Sequence, residues 1–190
     1  MISGWVVDTQ LMVDWCLWAL GDDTSDGSTG EAATQQVSKL RLSTHRDSLE
    51  RHLNPENVLL AASVLVETAV VLRRLLGRAS LPGPGDRLNE PIVRATQRFI
   101  EHFKVTFVKT TEAGATKCLN RLNRYVLRVE SEKPIDFGDA ALIATLSGQR
   151  KLLTADERLF SRCVDIGRTD VYCFDKGTIV DARRQAVRPR

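Results

Sequence analysis

The sequence predicts an α/β protein built on a mainly parallel sheet, and three observations carry that prediction. Short apolar runs at 5–7, 58–62, 151–154 and 171–174 have the length of buried strands. Segments of helical period separate them, so strands and helices alternate along the chain. No internal repeat is visible, and 190 residues is the size of one domain.

Trp5-Val6-Val7 reads as the first strand, ending at Asp8. Leu11, Val13, Trp15, Leu17 and Trp18 follow in a dense apolar stretch whose length suits a helix better than a second strand. The segment 21–30, GDDTSDGSTG, holds nothing apolar and reads as a flexible acidic insertion. Its three aspartates lack the alternate-residue spacing and closing Glu of an EF-hand loop. From Glu31 to Leu53 the pattern is one polar helix with a thin stripe of Val37, Leu40, Leu49 and Leu53. His45 and His52, seven apart, share its exposed face, and His102 stands isolated.

Asn54-Pro55 ends that helix, Val58 to Ala62 forms a strand, and Ser63 caps a helix running through Glu67 to about Leu76. Residues 77–90 read as a second flexible insertion. Pro91 opens a helix with Ile92, Ala95, Phe99, Ile100 and Phe103 inward. Val105, Phe107 and Lys109 alternate as a strand, and Thr111 caps a helix from Glu112 to about Val129. Its apolar face is Cys118, Leu119, Leu122, Tyr125 and Val126. Pro134 introduces the helix holding Asp136, Asp139 and AALIATL. Lys151 to Thr154 is a strand, Asp156 to Cys163 a helix, and Val171 to Phe174 the last strand. The domain thus spans 1–181, and 182–190 is a basic tail expected to fray.

Apolar residues at 43% and charged residues at 27% exclude disorder over the whole length. A chain of this size buries roughly 70% of its unfolded surface and needs no disulfide or metal to fold. Lys and Arg outnumber Asp and Glu by 27 to 24, which permits a nucleic-acid partner without arguing for one. The cysteines at 16, 118, 163 and 173 form no C-x-x-C pair, which speaks against zinc and for buried free thiols in a reducing compartment. No basic stretch precedes the short apolar run at the N-terminus, unlike a signal peptide. The longest apolar run, Val58 to Val66, stops at Glu67, far short of the ~18 residues of a membrane span. A cytoplasmic protein is the expectation.

The carboxylates carry the functional signal. Parallel sheets bind ligands beyond the C-terminal ends of their strands. Asp8 ends the first strand, Glu67 lies about a turn into the helix leaving the second, and Asp156 follows Leu152-Leu153-Thr154 by two residues. Asp136 and Asp139 share one face of a helical first turn. Each has a bland reading: a strand-end Asp caps or turns, and Asp139 complements a helix dipole. Glu67 is harder to dismiss, because it interrupts the run Leu59 to Leu72 where helical spacing places it near the core. Gathered at one sheet edge, such groups would repel unless a hard divalent cation joined them, and all-oxygen ligation suits Mg²⁺ or Mn²⁺. The chemistry those ions support best is in-line hydrolysis of a phosphodiester.

These residues meet a known pattern. Val7-Asp8-Thr9, Val64-Leu65-Val66-Glu67, the run DFGDAALIAT at 136–145, and Leu153-Thr154-Ala155-Asp156 with Phe160 resemble the PIN-domain nucleases, most closely the VapC-type toxins of bacterial toxin–antitoxin pairs. The resemblance implies a single PIN-like domain with Asp8, Glu67, Asp139 and Asp156 as catalytic metal ligands, Asp136 as a further one, and Thr154 in support. It implies Mg²⁺ or Mn²⁺, an RNA substrate, a cognate antitoxin and a homodimer. Two departures stand out: Gln10 replaces the usual Ser or Asn, and the insertions lengthen the chain. Alternatives are a stand-alone RNA-processing enzyme and an inactive RNA-binding scaffold, although a retired site would be free to lose a carboxylate. Lys117, Arg121, Arg124 and Arg128 form a basic face that reads first as solvated charge and second as a grip on RNA phosphates.

Overall fold

The computed structural model describes residues 4–23, 27–37, 45–53, 57–77, 89–109, 111–126, 137–146 and 149–182, with 121–126 as backbone only. The apolar runs form one six-stranded sheet from β1 (Gly4–Val7), β2 (Val58–Ala61), β3 (Thr106–Val108), β4 (Arg150–Thr154), β5 (Val171–Asp175) and β6 (Thr178–Asp181). Its order is β3-β2-β1-β4-β5-β6, and every neighbouring pair is parallel except β5–β6. Around it lie α1 (Thr9–Gly21), α2 (Gly27–Val37), α3 (Arg46–His52), α4 (Ala62–Gly77), α5 (Asn89–His102), α6 (Glu112–Val126), α7 (Phe137–Ala144) and α8 (Glu157–Asp165). The predicted α/β class with a mainly parallel sheet is the one observed.

β1 sits at the centre because it is apolar on both faces and pairs on both sides, Val6 with Leu59 and with Leu152. The order reverses there, since the chain moves from β1 outward to β3 and then crosses to β4 on the other side. That reversal splays the following segments apart and opens a crevice at the C-terminal ends of the strands. α1 descends from this point with every residue from Leu11 to Leu20 buried. Trp15 packs edge-on against Phe99 and Phe103 of the α5 segment, ring centroids 5.4 and 5.7 Å away, and its Nε1 donates to Glu50 at 2.8 Å. A helix buried all round is apolar on every face, here with Asp14 as the one acid, which is why the stretch lacks amphipathic spacing.

Several expectations are corrected. The 21–30 segment is not wholly a solvated insertion: α1 runs to Gly21, α2 begins at Gly27, and Thr29 and Gly30 are buried. Small side chains there let α2 pack closely on α1, so an absence of apolar residues does not mean exposure. The single helix expected over 31–53 is two, α2 ending at Val37 and α3 starting at Arg46. α4 starts at Ala62, one residue before the expected Ser63 cap. His102, away from the other two histidines in sequence, meets Phe103 edge-on and lies tilted against Trp15. In β3 the inward residue is Val108, while Phe107 is half exposed.

Val171–Asp175 is not the last strand, because the chain turns at Lys176-Gly177 and returns as β6. Both turn residues have positive φ, 48° and 79°, as a two-residue hairpin turn of this hand requires. Gly177 has a second reason: a Cβ there would lie 2.8 Å from His45 Nδ1, where α3 closes over the hairpin. Cys16, Cys163 and Cys173 are buried free thiols and Cys118 is half-buried. Among the described residues no helix is long and apolar enough to cross a membrane.

Candidate active site

Asp8 is placed by two demands at once. It is the N-cap of α1, its Oδ1 accepting from Leu11 N at 2.9 Å. Its Oδ2 accepts from the Thr154 hydroxyl and from Ala155 N at 3.2 Å, which ties the end of β1 to the end of β4. The carboxyl is 4% exposed, and burial pushes its pKa up to about 6 against the pull of those hydrogen bonds. The capping and functional readings of Asp8 are thus compatible, because the two oxygens face different partners.

Thr154 does more than hold Asp8. Its Oγ1 accepts from Asp156 N at 2.9 Å, turning the chain out of β4. Asp156 then caps α8, its Oδ1 accepting from Arg158 N at 2.7 Å and Leu159 N at 3.1 Å. Thr154 thus bonds the side chain of Asp8 and the backbone of Asp156.

Glu67 is corrected in one respect. It is exposed, not near the core, because α4 buries only the narrow stripe Val64, Thr68, Leu72 and Leu76. Val66 and Val70, whose apolar character made Glu67 look enclosed, are themselves 65% and 52% exposed. Its Oε2 accepts from Thr9 Oγ1 at 2.7 Å, which holds the carboxylate at the first turn of α1. Asp139 lies half-buried in the first turn of α7, where a carboxylate also complements the helix dipole.

Asp8, Glu67, Asp139 and Asp156 all line one cavity of about 490 Å³ at the C-terminal edge of the sheet. Four separate elements deliver them: the end of β1, α4, α7 and the turn after β4. A fifth carboxylate, Asp14, lines the same cavity from α1 and was missed in the sequence reading. It is 1% exposed, and burial, with Asp8 adding repulsion, pushes its pKa up to about 7 despite a 2.8 Å hydrogen bond from Gln10 Nε2. The unusual Gln10 thus serves Asp14 and not Asp8. Its trace in the sequence is a lone acid inside LMVDWCLWAL, an interruption of the same kind as Glu67 in its apolar run. Arg158 is the cation at the cavity wall among the described residues.

A divalent cation fits these residues in kind. The donors are hard oxygens, and two are buried carboxylates whose charge the fold leaves under-compensated. The side chains stand around the cavity rather than in a knot: among the described residues no three His, Cys, Asp or Glu groups are drawn together as a ready metal cluster. Asp136 and Arg128 lie outside the described residues, as do the 182–190 tail beyond Ala182 and most of the 77–90 segment. Lys117 is exposed on α6, and Arg121 and Arg124 belong to its backbone-only part. Comparison with family models, with characterised proteins and with solved structures returns no match.

Proposed function

We propose that this chain is a metal-dependent endoribonuclease that hydrolyses RNA phosphodiester bonds, acting as the toxin of a toxin–antitoxin pair. The observation that carries the nuclease reading is the convergence of Asp8, Glu67, Asp139 and Asp156 from four elements on one cavity at the sheet's switch point. The toxin assignment, with its antitoxin partner, rests on the sequence resemblance to VapC-type PIN domains.

In this reading the four carboxylates hold Mg²⁺ or Mn²⁺, with Asp136 as a further candidate. Such an ion, when bound, supplies hydroxide near neutral pH and offsets charge on the leaving oxygen. The chain's own groups do the rest. Thr154 and Ala155 N–H fix the rotamer of Asp8, and Thr9 restrains Glu67. Both restraints act before substrate arrives, so less ordering is left to the binding step. Arg158 offers the cavity wall a positive charge toward an incoming phosphate.

The test is RNA cleavage by the purified chain with Mg²⁺, with Mn²⁺ and with a chelator, beside Asp139→Asn. Asparagine keeps the shape and removes the anionic ligand, so the variant should stay folded and lose at least 100-fold in rate, on the order expected for loss of one metal ligand or its support. A wild type that cuts equally well with a chelator, or an Asp139→Asn that cuts at the wild-type rate, removes the metal assignment. Co-expression with the product of the adjacent reading frame tests the toxin assignment: suppression of cleavage is expected.

A further inference from the structure

A second concavity lies beside the candidate active site and differs from it in chemistry. It is an apolar groove of about 810 Å³ whose walls include Phe107 from β3 and Phe137 from α7. Both rings are half exposed, at 49% and 50%. The partition between groove and cavity is α7 itself. Phe137 and Ala141, four apart, face the groove, while Gly138, Asp139 and Leu142 face the carboxylates. Ser63, at the start of α4, lines both, so the two spaces adjoin.

The groove is also not purely apolar. Lys109, one residue beyond the end of β3, and Glu112, at the start of α6, also line it. Since β3 runs parallel to β2 with Val108 opposite Ala61, Lys109 reaches the same sheet edge that carries the carboxylates. Two aromatic faces beside a cation are what an unpaired nucleotide requires: rings to stack its base and a positive charge for its phosphate. Glu112 adds an acceptor able to take a hydrogen bond from a base amino group.

We propose that this groove is a stacking subsite for an unpaired base of single-stranded RNA, next to the bond cut in the carboxylate cavity, with Phe107 and Phe137 as the stacking residues. The proposal rests on the nuclease reading for its orientation along the strand. It adds a selectivity that the carboxylates cannot provide, because a base held in a duplex presents no free face to either ring.

Binding is measured in chelator, where no cleavage occurs, using a fluorescein-labelled single-stranded oligoribonucleotide of about 12 residues, within the range single-strand sites cover. A hairpin of the same composition and an abasic strand of the same length serve as comparisons. Wild type should prefer the single strand to both. Phe107→Ala and Phe137→Ala should each weaken single-strand binding about tenfold, leave abasic binding unchanged, and be rescued by Trp at the same position. Circular dichroism melts confirm that the variants, altered only at half-exposed rings, remain folded. Equal single-strand affinity for wild type and both Ala variants overturns the proposal. So does a dimer in sedimentation velocity that both Ala substitutions break without changing RNA binding, since the groove then belongs to a second copy. Cleavage with Mn²⁺, measured in parallel, separates the two readings. A wild type that stacks RNA on these rings but cuts nothing keeps the subsite and loses the nuclease; a wild type that cuts while the Ala variants bind and cut unchanged does the reverse. Neither binding nor cutting by wild type overturns both.

Discussion

Asp14 is the residue at which burial and charge conflict most openly. Its pKa of about 7 in the folded chain lies above the ordinary value of 3.8, so the folded state holds more protons between those values. Stability from the protonated acid is therefore fully present below about pH 3.8 and is lost as the pH rises through about 7. Asp8 acts in the same direction, over a window ending near pH 6. Asp14→Asn should thus be more stable than wild type at about pH 8, by on the order of 3 kcal/mol, and nearly equal at about pH 4. Urea titrations in metal-free buffer at the two pH values check this; an equal difference at both would show that Asp14 is not ionising in the fold. The same residue marks the limit of sequence reading. Asp8 and Asp156 were legible because a strand end locates them, and Thr154 because it sits between them. Asp14 shows in the sequence only as a lone acid in an apolar run; that it is buried at the cavity follows from α1 being enclosed on every side, a property of the neighbours and not of the helix's own spacing.

Among the elements, the β4–α8 turn ties the two strand-end aspartates together through one hydroxyl. The Thr154 hydroxyl donates to Asp8 and accepts from Asp156 N while fully buried, so both aspartates lose support together if it is removed. Thr154→Val keeps the volume, leaves the Asp156 N–H without its acceptor, and should cost about 1–3 kcal/mol. It should also lower cleavage, with Thr154→Ser restoring most of both; a Val variant with wild-type stability and rate would show that the turn holds itself. α2 makes the complementary point about glycine. A Cβ at Gly30 would come 3.3 Å from Asp23 O and 3.4 Å from Leu20 O, so the end of α1 and the start of α2 approach through that position. Gly30→Leu should destabilise by about 1–3 kcal/mol, as overpacking does, read as a lowered urea midpoint. The strands were legible because short apolar runs with clear stops have few other structures open to them. α2 was not, since GDDTSDGSTG is loop-like in composition and only contact with α1 makes its last residues helical and buried. β6 was missed for a related reason: TIVD is half-buried edge strand, too short to stand out without the turn at Lys176-Gly177.

At the scale of the whole molecule, the fold brings together carboxylates separated by up to 148 positions, from Asp8 to Asp156, at one edge. Gathering negative charge there opposes folding, and burial of Asp8 and Asp14 adds to that cost by pushing both pKa values up, while Thr9 and helix N-termini hold Glu67, Asp139 and Asp156. A cation bound only by the folded state would reverse the balance. At a hundredfold excess over its Kd it stabilises by about 2.7 kcal/mol, which for a chain of this size is about 5–10 °C in Tm. Wild type should therefore melt higher in excess Mn²⁺ than in chelator by about that much. Glu67→Gln isolates the part played by the site. Its carboxylate is exposed and accepts a hydrogen bond that an amide oxygen can also accept, so in chelator the variant should melt within about 0.5 kcal/mol of wild type. In Mn²⁺ it should recover less than half of the wild-type increment, because a neutral amide is a poorer ligand for a hard cation. A structural Glu67 gives the opposite pair of results: a lower melt in chelator and an undiminished increment in Mn²⁺. That pair would take Glu67 out of the site and leave the remaining three carboxylates, with Asp14 behind them, to account for any metal the protein binds.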